Sequence, residues 1–228
     1  MKRKILVGII CFTGLLTFVS YNFVYANSTG NKMNEYGKKF AFIYSASQKT
    51  MRAREKAVFE NSDFSINKSE IRRQAQLVQI NMEGSTKELA KEAIYELIER
   101  KTLYALAVEK GYLVSDEDFE EYKSKFCDSM QGAENEEDIK QFFAGFGGEE
   151  DYWSTMETTL RESLTIRKYL DDRMKRYARE KGQNISNIDF QQKWSKEEEK
   201  IKRDVLHKAE ITDSDKEFLI DEAIDCLE

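Results

Sequence analysis

Apolar side chains recur at intervals of three and four over most of this chain, the period of helices that bury one face. Ile71, Ala75, Val78 and Met82 form one such stripe, opened by Asn67-Lys68-Ser69-Glu70 and stopped at Gly84. Ser85 with Glu88 is a capping-box pattern, and Leu89, Ala93, Ile94, Leu97, Leu103 and Ala107 behind it spread over a face too wide for one neighbour. Gly111 stands where a left-handed residue ends a helix, and Ser115 with Asp118 caps the next one through Phe119 and Tyr122. A short apolar helix, "IKQFFAGF", then reaches a turn at Gly147-Gly148. The long helix that follows has Glu149, Glu150 and Asp151 at its start and Lys175, Arg176, Arg179 and Lys181 near its end, the order the helix dipole favours. Its stripe includes Trp153, Met156, Leu160, Leu164, Leu170 and Met174, and Gly182 ends it. After a polar connector, Trp194 to Ile211 is the last amphipathic helix, with Ile201, Val205 and Leu206 on its apolar side.

Two stretches break the pattern. Ala57 to Ile66 reads as extended, and residues 27–34 are a polar linker before an uncapped, weaker helical run over 38–60. The pattern predicts an all-α fold with long helices. It places a linker and helix at 27–56, a helical domain at 57–181, and a connector and C-terminal helix at 182–228, with that helix packing back on the domain. Composition agrees: no proline, 11 glycines, 40% hydrophobic and 34% charged residues suit long helices with solvated faces.

The first residues carry an address. Met1-Lys2-Arg3-Lys4 precedes the apolar run Ile5 to Val19, as in an export signal, and Val24-Tyr25-Ala26 offers a small-residue cleavage pattern. The run spans about 22 Å as a helix, short of a bilayer core of about 30 Å, which favours cleavage after residue 26. The alternative keeps Ile5 to Ala26 as a membrane anchor, the one membrane contact this reading provides. Without residues 1–26 the chain has 33 basic and 42 acidic residues, a net of −9, which disfavours nucleic acid and gives no basic face for anionic lipid.

Candidate chemistry is sparse. His207 is the single histidine, no carboxylate pair stands out, and Gly145, Gly147 and Gly148 lack the lysine and strand context of a phosphate loop. Cys127 and Cys226 have no metal-ligand spacing and are compatible with either a disulfide or free thiols. No cofactor, metal or catalytic residue is therefore assigned. Phe142, Phe143, Phe146, Tyr152, Trp153 and Met156 gather large adaptable side chains around a glycine turn. They suit promiscuous contact with unfolded polypeptide, and they equally suit the core between two helices.

The run "LIERKTLYALAVEKGYLVSDEDF" resembles the amino-terminal domain of the SurA and PrsA type of extracytoplasmic folding factors, through Leu97-Ile98, Glu99-Arg100-Lys101, Leu103, Ala107, Gly111, Val114 and Ser115-Asp116-Glu117. Thr102 stands where that family usually has an apolar residue. "FSINKSEI" is similar to the family's strand-and-turn before its first helix, the glycine-then-long-helix segment from Phe146 to its next, and "VLHKAEI" to the end of its closing helix. The resemblance implies an exported or cell-envelope chaperone of a bacterium that binds unfolded polypeptide clients. A parvulin isomerase domain often precedes the closing helix in these relatives, but Gly182 to Gln192 is too short to hold one, and paired histidines are missing. It therefore implies a chaperone module without isomerase activity. The rival functions are a prolyl isomerase with an unrecognised site and a membrane-anchored scaffold with one dedicated partner.

Overall fold

A computed structural model describes residues 30–51 and 55–228; the expected export segment, residues 1–26, lies outside them. The fold is all-α. Among the described residues there are eight helices: α1 Gly30–Met51, α2 Lys68–Asn81, α3 Thr86–Glu109, α4 Asp116–Met130, α5 Glu136–Phe146, α6 Glu149–Glu180, α7 Ile188–Lys208 and α8 Asp213–Ile224. The strands β1 Ala57–Glu60 and β2 Ser65–Asn67 pair antiparallel, with Phe59 opposite Ile66.

The helix boundaries follow their caps. The Ser85 side chain accepts from the Glu88 backbone N–H while the Glu88 carboxylate accepts from the Ser85 N–H at 2.9 Å, and Ser115 with Asp118 repeats this at α4. Asn67 Oδ1 accepts from the Glu70 N–H at 2.9 Å and opens α2. Gly111 has φ +81° and Gly147 φ +105°, left-handed values that a β-carbon makes costly, so these two turns need glycine. In the hairpin, Asn61 Oδ1 accepts from the N–H groups of Asp63 and Phe64, each at 2.9 Å, and its amide donates to the Ala209 carbonyl at 2.8 Å.

The chain divides into two compact units with interleaved segments, so the expected domain at 57–181 contributes to both. The first unit comprises the described residues of Met1–Glu55 with Gln79–Glu83 and Val114–Ser163. Its framework is α1 lying against α5, and this crossing explains a helix the sequence only weakly supports. A β-carbon on Gly37 would sit 2.1 Å from the Phe142 carbonyl oxygen, and one on Gly145 would sit 2.5 Å from the Asn34 oxygen and 2.6 Å from the Lys38 nitrogen. Two glycines let the backbones touch; the local cost of glycine in a helix, about 1 kcal/mol, is offset by the packing.

The second unit comprises Lys56–Val78, Gly84–Leu113 and Leu164–Glu228. One apolar cluster joins Ile66 of β2, Ile71 and Ala75 of α2, Ile94 and Leu97 of α3, and Leu219 and Ala223 of α8. Another joins Leu103 and Ala107 of α3 to Phe190, Trp194, Ile201 and Val205 of α7, so α7 packs on α3. Two predictions needed correction here. α7 begins at Ile188, capped by Asn187, earlier than its apolar stripe suggested, and it is not the last helix. α8 follows, opened by a capping box of Thr212 and Asp215 that the sequence displays. Met82 falls just beyond α2 and is 38% exposed, so it does not extend that helix's buried stripe.

Candidate functional site

The six aromatic and methionine residues singled out above come together in the first unit, but mostly as its interior. Phe142, Phe143, Tyr152, Trp153 and Met156 are 2–7% exposed, and Phe146 is half-buried. The cause is the turn at Gly147-Gly148, which folds α5 against the start of α6. It brings the Phe143 and Tyr152 rings to 4.5 Å between centroids and the Phe146 and Tyr152 rings to 5.1 Å. A client reaches these rings only if the unit opens, so as folded they pack rather than present a binding surface. Two further helices complete the cluster: Phe40 of α1 stands 5.8 Å from Phe142, and Phe126 of α4 stands 5.6 Å from Trp153. In the sequence Tyr36, Phe40 and Tyr44 recur at helical spacing, and Phe126 continues the line of Phe119 and Tyr122, a signal for the two helices that close the cluster.

Burial shifts the polar groups at this core. Desolvation pushes the Tyr152 phenol far above its ordinary value and raises Tyr36 to about 12, against the lowering effect of its hydrogen bond to Asn81. Cys127 is raised to about 11, first by desolvation and then by donating its thiol proton to Glu149 Oε1 at 2.9 Å. The same oxygen accepts from Trp153 Nε1 at 3.2 Å. A thiol held protonated at neutral pH is a poor nucleophile. Cys127 and Cys226 are both free, and they belong to different units.

Beside this core an open groove of about 1020 Å³ runs between α4 and the start of α6, lined among others by Phe119, Lys123, Cys127, Glu149, Asp151 and Trp153. Its aromatic floor is nearly covered, since Phe119 is 2% exposed, beneath the Arg161 guanidinium at 4.5 Å from the ring centroid. The acids at its rim are those that the N-terminus of α6 favours on its own account.

In the second unit the polar groups are inside. Glu70, Arg73 and Gln74 of α2 are buried; Glu70 pairs with Lys101 of α3, and Gln74 donates to Glu96 at 2.6 Å while accepting from Arg100 at 3.1 Å. Glu99 meets Lys202 of α7 at 3.5 Å. Thr102 is buried too, and its hydroxyl donates to the Ile98 carbonyl one turn back at 2.7 Å, which satisfies it inside an apolar stripe. These groups tie helices together rather than converge on a cavity. His207 lies exposed in the last turn of α7. Among the described residues no three or more His, Cys, Asp or Glu side chains gather as metal ligands would, and no helix is long and apolar enough to cross a membrane.

The outer side of α1 differs from the rest of the first unit. Lys32, Glu35, Lys38, Lys39 and Phe42 are all exposed there, Phe42 by 70%. A chain-wide net charge averages over this face.

Comparison with known protein families, with characterised proteins and with solved structures finds no match.

Proposed function

We propose that the chain is an exported, ATP-independent holdase that binds unfolded or newly secreted polypeptides and has no isomerase activity. The observation that supports this reading is the order of its parts. The segments that resemble the SurA and PrsA type of folding factor form a short hairpin leading into α2, then α3, a left-handed Gly111 and the capped α4. The long α6 comes next, and α7 packs on α3. With the first unit's aromatic cluster occupied by packing, the contact points for clients are exposed apolar side chains of the second unit, Leu113 at 59%, Ile188 at 75% and Phe218 at 49%. Separate apolar points on a highly charged surface give weak, broad affinity, which suits transient protection of many clients.

The test is light scattering of several unrelated denatured proteins diluted with and without the full chain. Suppression of aggregation for most of them is the expected result, and Leu113→Ser with Ile188→Ser should weaken it. Scattering that is unchanged for every client overturns the proposal, and suppression for one client alone turns it into a dedicated partnership.

A further inference from the structure

The exposed side of α1 is an unclaimed surface with a sign and a shape. Met33, Gly37, Phe40, Ile43 and Tyr44 of this helix are buried, and the opposite face carries Lys32, Lys38, Lys39 and Phe42. At 3.6 residues per turn these four fall within about a third of the helix circumference, with the Phe42 ring between the lysines. Glu35 lies among them and is held by Lys38 at 2.7 Å, so the face keeps a net positive charge.

The remainder of the first unit has the opposite sign. Residues 30–55 contain six lysines and arginines against two glutamates, whereas Val114–Ser163 contains fifteen acidic residues against four basic ones. A chain-wide surplus of acid therefore coexists with a helix that an anionic surface attracts while it repels the acidic segment, which orients the unit.

We propose that this face of α1 seats on an anionic phospholipid bilayer, with Lys32, Lys38 and Lys39 at the lipid phosphates and the Phe42 ring in the acyl boundary. An exposed aromatic ring amid lysines matches that interface, where the ring enters apolar material while the lysine stems lie along it and their ammonium groups stay at the phosphates. The sequence adds a reason to choose lipid over another polyanion. The apolar run Ile5–Val19 stands just ahead of α1, and residues 20–29, fully extended, reach no more than about 36 Å. Where that run is retained as an anchor rather than cleaved, the bilayer it engages lies within reach of this helix. The proposal is independent of client binding and stands or falls without it.

Full-length protein is sedimented with vesicles of phosphatidylcholine alone and of phosphatidylcholine with phosphatidylserine. The triple variant Lys32→Gln, Lys38→Gln, Lys39→Gln should lose about a hundredfold of the affinity for the anionic vesicles, at about fivefold for each of the three lysines. It should leave binding to the neutral ones unchanged, and salt near 0.5 M should erase the difference. Phe42→Ser should cost a further several-fold. All four side chains are exposed, so these changes leave the core intact. Unchanged affinity of either variant for the anionic vesicles overturns the proposal, as does a lysine-dependent affinity for single-stranded DNA that exceeds that for the vesicles.

Discussion

The two units bury different kinds of surface and depend on different kinds of precision. The first stacks rings from α1, α4, α5 and α6 and sets two glycines where α1 meets α5, so its demand is for space. The second packs mainly aliphatic side chains with a few rings such as Phe190 and Trp194, and buries charged and amide groups between α2, α3 and α7, so its demand is for pairing. Overcrowding harms the first; an orphaned charge harms the second. The chain contains two tryptophans, Trp153 in the first unit and Trp194 in the second, so each unit carries its own fluorescent reporter.

The largest expected effect is in the second unit. Lys101→Met leaves the buried Glu70 carboxylate without its ammonium partner and should destabilise the fold by about 3 kcal/mol. Adding Glu70→Gln should return most of that loss. Urea denaturation followed by Trp194 fluorescence in a Trp153→Phe background measures both, and a double variant no better than the single one contradicts the pairing argument.

Next comes Gly145→Ala. Its new β-carbon would lie within 2.7 Å of three backbone atoms of α1, none of which is a flexible side-chain end. Strain of about 2 kcal/mol should outweigh the gain in helix propensity of about 1 kcal/mol that alanine normally brings. The Trp153 transition, read in a Trp194→Phe background, should move to lower urea. Should the Trp194 transition move equally in the complementary background, the two units unfold as one and the contrast between them is lost.

The smallest effect is a pH dependence. Desolvation raises the pKa of Glu96 in the fold, with Glu92 adding to the shift and the Gln74 hydrogen bond opposing it. A carboxyl with a raised folded pKa favours the fold fully below its unfolded value near 4.5 and loses that contribution as pH rises through the folded value. Glu96→Gln, neutral throughout, should match the native chain at pH 3 and exceed it at pH 7 by less than about 1 kcal/mol. A gap that is the same at both pH values removes Glu96 as its source.

Much of the architecture was legible because it is local. Capping boxes at Ser85 and Ser115 act over three residues, and left-handed glycines at 111 and 147 act within one turn, so each can be read where it stands. Thr212 with Asp215 carries the same local signal, so the start of α8 was equally legible. The candidate site was not legible. Phe142, Phe143, Tyr152, Trp153 and Met156 announce apolar character, but whether a ring meets solvent or another ring depends on neighbours from α1 and α4, distant in sequence. The close-packing role of Gly37 was not legible for the same reason, since its partner Gly145 lies more than a hundred residues away.

By itself, then, the sequence determined that the chain is helical, where most helices begin and end, and which face of each is apolar, because caps and periodicity act through adjacent turns. Only the tertiary structure decided which apolar faces became interior, that a charged residue such as Glu70 is buried with its partner, and that α1 keeps a lysine face outward. Burial is a property of what packs against a side chain, and those partners come from remote parts of the chain.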